Sequence, residues 1–522
     1  MKAKRMALLT GAVVLTMIFF PGNHPVVAAP STGEITTVTP ILGNETPIPH
    51  LETGHGNDYI QLLYDHLLGS TPEGKFSADH GLSNKWEMSP DGLTWTFYLK
   101  RGIKFHDGVE VTAKDVKFSI DLLLRPESST SDAVDLKQKV KGVEVKDSYT
   151  VVVHCKVPDI FVGNYLSTTN PGGMVVPKDY YERVGKDGFQ KHPIGTGPYK
   201  WHSQQVGSFI KLEAIDKHWR DGVPRYKYMT YRIIPEESTR MAMLKTGAAD
   251  IARISRESVK DALSSGMNVL SKEGYAVLCY IPNVQWTSPV FSDIRFRKAL
   301  NLAIDREAII KHILAGLAKP AGAWPGSIIS TLGGDPTLKP YSYDPQEARR
   351  LIKEGGWEGH EFTLVSFPRE SLPEIERITE AVAGYWEKIG LRPKIRMTEW
   401  AVWRKAWRSR SRECENTIQG RDDYTDLPSI VRGFMQFYYS KWQESAVNLP
   451  YLNERFQRIE KSLDFGEISR LLVEVYRYSY DQYLLAPICE TSDIFSTSKK
   501  IPKWDLGRRR NDRNYQDLIR QR

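Results

Sequence analysis

The stretch WEMSPDGLTWTFYLKRGIKFHDGVEVTAKDVKFSIDLLLRP, from Trp86 to Pro126, constrains the fold more than any other part of the 522-residue chain. SPDG at 89–92 puts Pro second and Gly last in a tight turn. Trp95, Phe97 and Leu99 then alternate with Thr94, Thr96 and Tyr98, the period of a half-buried strand. After the HDG turn, Thr112 and Asp115 have capping-box spacing ahead of AKDVKFSIDLLL, in which Val116, Ile120 and Leu123 share one face and Arg125-Pro126 ends the helix. Trp86, Trp95, Phe97 and Phe105 are predicted to be core, because aromatic residues at strand spacing bury area. The unit is a rigid scaffold with no pattern of acid, base or nucleophile inside it.

The rest of the chain alternates helices and strands. VKGVEVKDSYTVVVHCK reads as two strands around KDS, and PIGTGPYKW at 193–201 is a Gly/Pro-rich crossing that marks a domain boundary. ESTRMAMLKTGAADIA is a helix stopped by Gly247 and followed by a short strand. FSDIRFRKALNLAIDREAIIKHILAG is predicted as one amphipathic helix with Ala299, Leu302, Ala303, Ile309, Ile310 and Ile313 inward. Further on come a helix DPQEARRLIKEGG, a strand EFTLVSF, a helix EIERITEAVAGYWEKIG and a strand RPKIRMTEW. This is an α/β pattern with mixed sheets, and the length calls for two or three domains.

Lys2, Lys4 and Arg5 precede an apolar run from Met6 to Phe20 that is too short to span a bilayer, followed by Pro21-Gly22 and the small residues of VVAAP. This reads as a secretory signal cleaved after Ala28, since a cut after Ala29 would put Pro30 across the scissile bond. No cysteine lies near the site to carry a lipid, so the expected location is periplasmic and unanchored. Without Lys2, Lys4 and Arg5 the formal charge falls from +8 to +5 (68 basic against 63 acidic), a weak excess that gives no argument for nucleic acid. Its local sources, RKAWRSRSR at 404–412 and GRRRNDR at 507–513, are expected to be a solvated helix face and a tail. Cys155, Cys279, Cys414 and Cys489 have no metal-ligand spacing, and the three possible full pairings stay open.

LSNKWEMSPDGLTWTFYLKRGIKFHDGVEVTAKDVKFSIDLL, GTGPYK and FSDIRFRKALNLAIDRE, in that order, resemble the landmarks of the extracytoplasmic solute-binding proteins of ABC importers, family 5, the oligopeptide/dipeptide-binding proteins. The resemblance implies a type II periplasmic-binding-protein fold, α/β, with two lobes (three domains) joined by a two-strand hinge. On that pattern 1–28 is the signal; 29–57, 193–282 and 485–522 form domain I of the first lobe; 58–192 forms its domain II; and 283–484 forms the second lobe. The crossings are expected near 278–285 and 484–495.

The resemblance also implies a cleft. GRDDYTDLPS at 420–429 is similar to the family's acidic-Tyr segment, which makes Asp423 the partner of a peptide ammonium, with Tyr424 beside it. LETGHGND at 51–58 occupies the place of a first-lobe strand that offers main-chain hydrogen bonds, so Glu52, Thr53, Gly54 and His55 are site candidates. Trp286, Trp400 and Arg421 complete the set. Two departures are visible: Gly420 stands where the family has an aromatic, and Pro428 comes one residue late. The implied activity is capture of a peptide or peptide-like solute by a monomer and its delivery to an inner-membrane ABC permease, with no cofactor and no catalysis. Oligosaccharide and nickel-chelate ligands stay open within the same fold. An exported hydrolase is disfavoured, because no GxSxG or HExxH occurs and Asp422-Asp423 are adjacent in sequence and not placed across a substrate.

Overall fold

A computed structural model describes residues 31–71, 75–168, 171–280, 289–322, 335, 337–369, 372–422, 427–442, 444–501, 503–506 and 515–519; for 272–280 and 421–422 it describes the main chain only. The signal segment, Trp286, Asp423 and Tyr424 lie outside the described residues.

Two 13-residue strands, Asn268–Tyr280 and Leu485–Thr497, form the spine. They run antiparallel along their whole length, pairing from Asn268 with Thr497 to Tyr280 with Leu485. Around them an 11-stranded mixed sheet has two halves. In the first half, Ile251–Arg253 joins the Thr497 end of the spine, followed by Glu34–Thr39 and Tyr228–Ile233 in parallel and then Phe209–Ala214 and Tyr199–Gln205 antiparallel. In the second, Asn416–Asp422 joins the Tyr280 end, followed by Glu361–Ser366 and Arg392–Met397 in parallel. The spine's register slips between Glu273 and Tyr275, midway between the halves, and a bulge there bends the strands. The first spine strand begins at Asn268, well before the crossing expected at 278–285; its polar start, NVLSKEG, hides the strand pattern.

The Trp86–Pro126 stretch forms as its pattern requires. Thr94–Leu99 alternates buried and half-buried residues in a four-stranded antiparallel sheet with Ser83–Met88, Thr150–Cys155 and Val140–Asp147. Thr112 donates its N–H to Asp115 Oδ2 at 2.8 Å and its hydroxyl at 2.9 Å, and the helix runs Ala113–Leu124 with Val116, Ile120 and Leu123 buried. Trp95, Phe97 and Phe105 are core, while Trp86 is only partly buried.

The single helix expected over 291–316 is two, Ile294–Leu302 and Arg306–His312. Asp305 caps the second, accepting from Ala308 N at 2.9 Å, and this competes with helix continuation. The break turns Arg306 inward, where Nε donates to the Pro487 carbonyl at 2.6 Å and pins the helix pair to the spine. Burial pushes its guanidinium pKa down to about 10. Cys155, Cys414 and Cys489 are free, buried thiols, each pushed up to about 12 by burial.

Candidate functional site

The strand directions locate the cleft. Ile251 pairs with Thr497 and Arg253 with Phe495, so the parallel strands of the first half all run toward the second. Thr417 pairs with Tyr280 and Asp422 with Tyr275, so the parallel strands of the second half run toward the first. The carboxyl ends of both sets therefore face each other across the bulge, and in open α/β sheets those ends are where ligands bind. The first-lobe edge is formed by the turns after Thr39 and Arg253, the second-lobe edge by the turns after Ser366 and Met397 and by the carboxyl end of the strand Asn416–Asp422.

Glu52, Thr53, Gly54 and His55 lie on the first edge, but they do not form a strand. Short 3-10 turns at Pro49–Leu51 and Gly54–Gly56 leave only Glu52 and Thr53 extended. The Glu52 carboxylate is consumed inside the loop: Oε1 accepts from Asn44 N at 2.8 Å and Thr53 N at 2.6 Å, and Oε2 accepts from Thr46 N at 3.0 Å and from the Tyr59 hydroxyl. Glu52 N and Gly56 N close the two turns onto Pro49 and Thr53 carbonyls. The expected row of main-chain hydrogen bonds is thus largely spent within the loop, and Glu52 acts as its keystone. Gly54 and His55 are exposed beside it. Gly43 (φ +70°) makes the keystone possible, since a Cβ there would lie 2.3 Å from Glu52 Oε1. Gly43→Ala is expected to cost about 1–3 kcal/mol, from strained backbone plus expulsion of the carboxylate, read as a lower urea midpoint.

Trp400 stands on the second edge as the first residue of the helix Trp400–Arg408, 45% exposed. Trp403 and Trp407, one and two turns on, are buried and stacked on each other at 5.8 Å, so of the three only Trp400 presents its ring. Arg421 lies in the strand Asn416–Asp422, its main chain paired with Ala276. The basic run is not simply a solvated face. Arg404 and Arg408 both converge on buried Glu444 Oε1, at 2.7 and 2.5 Å. Burial opposes the Glu444 charge, but the two guanidinium groups hold its pKa below the usual carboxylate range.

Sequence reading missed Arg369. It follows the strand Glu361–Ser366 on the same edge, half-buried, with its guanidinium 5.0 Å from the Phe367 ring; its Nε is enclosed and has no hydrogen-bond partner among the described residues. A half-buried cation with no carboxylate partner among the described residues suits an anionic ligand group. The signal that could have found it is position: a cation three residues beyond a parallel strand's carboxyl end.

The halves also touch away from the cleft candidates. Buried Arg256, after the strand Ile251–Arg253, donates to Glu374 Oε2 at 2.9 Å across the interlobe line and to the Ser492 carbonyl at 2.6 Å on the spine. The next residue, Glu257, pairs with Arg377 at 2.5 Å on the surface. At the far side, Phe161 meets Phe465 edge-on at 6.3 Å, and the SPDG turn packs so closely that a Cβ on Gly92 would lie 2.6 Å from Leu463.

Two lobes, a paired-strand spine and facing sheet edges define the type II periplasmic-binding-protein fold. The family described as "Bacterial extracellular solute-binding proteins, family 5 Middle" matches residues 80–444, and the chain belongs to it. The chain is similar to a protein named glutathione-binding protein GsiB of Salmonella choleraesuis, 31% identical over 317 residues, covering 60% of each chain; the chain thus spans about 60% of the length of that relative. In fold it is similar to NikA from Brucella suis, solved with Fe(III)-EDTA (TM-score 0.78, 20% identity, 93% of this chain and 99% of that one). It is also similar to a dipeptide-binding protein from Pseudoalteromonas sp. SM9913 solved with Met-Leu (TM-score 0.74, 20% identity, 94% and 100%). Among the described residues no helix is long and apolar enough to cross a membrane.

Proposed function

We propose that the protein is an exported receptor that closes its two lobes over a short peptide, holds it without chemical change and presents it to an ABC permease. The observation that carries this is the pair of opposed carboxyl edges, one of which bears the exposed Trp400 ring and Arg369, whose Nε has no hydrogen-bond partner among the described residues. A peptide has an ammonium and a carboxylate at opposite ends. On this reading Asp423, the next residue in sequence after the strand Asn416–Asp422, takes the ammonium; Arg369 takes the carboxylate; Trp400 covers the chain between them. Short peptides agree with the names of the relatives, glutathione being itself a tripeptide. Delivery to a permease follows from the family's importer role, and export from the N-terminal signal read in the sequence.

Native mass spectrometry of gently purified protein is expected to show an added peptide mass that is released intact on unfolding; a product differing from its cargo would instead reveal an enzyme. In calorimetry, Asp423→Ala should abolish binding of free-amine tripeptides and leave N-acetylated ones little changed. Equal losses for both would remove Asp423 from its role.

A further inference from the structure

The SPDG turn, prominent in the sequence, lies outside the candidate cleft and meets the other half of the molecule instead. Gly92 (φ +68°) has no room for a side chain: a Cβ would lie 2.6 Å from Leu463 Cδ2 and 3.2 Å from Pro158 Cβ. Beside it the buried Phe161 receives Phe465 edge-on, with the ring planes 67° apart. Leu463 and Phe465 form a knob, seated on a floor of Gly92, Pro158 and Phe161.

Each side is built without the other. Asp159 holds the floor: its N–H donates to the Gly92 carbonyl at 3.0 Å, its carbonyl accepts from Trp95 Nε1 at 2.8 Å, and Oδ1 accepts from Phe161 N at 2.6 Å. The knob is shaped by the entrance to the helix Phe465–Asp481, where Asp464 Oδ1 accepts from Gly466 N at 2.7 Å and the Ser462 hydroxyl donates to Glu467 at 2.8 Å. The floor's unit is tied to the first half, with His106 N on the Gly195 carbonyl at 2.8 Å and Tyr199 N on the Leu62 carbonyl at 3.0 Å. The knob's helix is tied to the second, with Arg297 Nε on the Gln482 carbonyl at 2.8 Å and the Tyr341 hydroxyl on the Tyr480 carbonyl at 2.7 Å. Floor and knob therefore move with different lobes.

The seam lies on the cleft's side of the sheet. Along the second spine strand, Phe495 shares a core layer with Leu42 and Ile48 of the first edge, and its neighbour Ile494 packs on the opposite face with Met241 and Ala262. Likewise Leu485 shares a core with Phe161, Phe367 and Trp403, whereas Ala486 packs with Ile375 and Ile378. Arg256 and Glu374 belong to that far face, and Arg256 is hydrogen-bonded to the spine itself, so their pair stays close to an axis through the bulge. The seam stands away from the axis, and rotation parts it. Its side chains are apolar, so parting strands no charge. Phe465 (50% exposed) and Val157 (47%) already meet water at its rim, which keeps the cost of parting small.

Resting on the closure reading above, we propose that the Leu463–Phe465 knob and the SPDG floor are a latch that holds the lobes together over the captured solute without touching it. Apparent affinity scales with the fraction of molecules in the binding-competent, closed state. The latch therefore raises the affinity for every solute by one common factor and leaves discrimination to the cleft edges.

The test uses Phe465→Ala, Leu463→Ala and the conservative Phe465→Leu. Spin labels on Val109→Cys and Glu454→Cys, both exposed and one on each side of the seam, report the interlobe distance in a Cys279→Ser background, the other three cysteines being buried. Without ligand, the wild type should show a short-distance population, and Phe465→Ala should lower its ratio to the long-distance one by about 5- to 10-fold, Phe465→Leu by less. A pool of di- and tripeptides is then titrated in, with each bound member identified by native mass spectrometry. Phe465→Ala and Leu463→Ala should weaken every member by the same factor, through faster dissociation. Losses that differ between members would make the knob part of the binding surface and remove the latch. Wild-type closure on a bound peptide, matched by both alanine variants with unchanged affinity, would overturn the latch and leave closure standing. If no member of the pool binds the wild type, the peptide reading fails, and the ligand-free populations still decide: a distance distribution that neither alanine variant moves would overturn the proposal.

Discussion

Glu374→Ala is expected to cost about 3–5 kcal/mol, because it strands a buried guanidinium. Arg256 is 3% exposed and Glu374 4%, and the remaining partners of Arg256 are the neutral Ser492 carbonyl and Thr491 hydroxyl. The loss should appear as a lower denaturant midpoint with an unchanged slope in the first transition. Removing both charges is different: Arg256→Met with Glu374→Leu should recover most of the stability, since an apolar pair of similar volume often matches a buried ion pair. The exposed Glu257–Arg377 pair is expected to contribute little, although its charges are the reverse of those next to it. Because Arg256 joins both lobes to the spine beside its bulge, Glu374→Ala should also change the ligand-free scattering profile. Stability lost with an unaltered profile would make the pair a packing device only.

The second large effect lies in the first lobe and depends on pH. His218 is fully enclosed, with Nε2 3.1 Å from Asp65 Oδ2 and Nδ1 3.0 Å from Asp221 Oδ2; Arg220 lies 3.2 Å from Asp65. Burial works against the imidazolium, but the two carboxylates outweigh it and raise the His218 pKa. Burial likewise opposes the Asp65 charge, yet His218 and Arg220 bring its pKa down to about 2, and Asp221 is depressed further. The His218 contribution is complete below its unfolded pKa of about 6.5 and is lost as pH rises through the raised folded value. The aspartate contributions are complete above about pH 4 and are lost as pH falls through the depressed values. The melting temperature should therefore be highest between about pH 4 and 6.5. His218→Gln should flatten the alkaline limb, and Asp65→Ala should cost about 3–5 kcal/mol throughout that window. An alkaline limb of the same slope in His218→Gln would show that His218 is neutral in the fold.

The elements that sequence reveals here are those whose local chemistry and tertiary role agree. The Trp86–Pro126 unit, the helix Pro345–Glu354 and the strand–helix–strand run from Glu361 to Met397 all have periodicity, caps and turns that point the same way. Legibility fails where a local competitor or a distant partner decides. Asp305 breaks a helix that hydrophobic period alone would carry through, and Arg306 exploits the break to reach Pro487, far along the chain. The Glu52 loop hides its shape for the same reason: nothing in LETGHGND says that its carboxylate folds back onto Asn44 and Thr46. At the site, Trp400 could be separated from Trp403 and Trp407 only once the helix was docked. Arg369 carries no motif, because what distinguishes it is an Nε with no partner among the described residues, a property of packing and not of spacing.

The central claim is mechanical: opposed sheet edges close on a solute about a bent two-strand spine. Small-angle scattering of the mature protein, titrated with a pool of di- and tripeptides, tests it most directly. The account predicts a saturable decrease in the radius of gyration, with the peptide recovered unchanged afterward. A radius that stays constant through saturation with a peptide shown to bind would contradict closure.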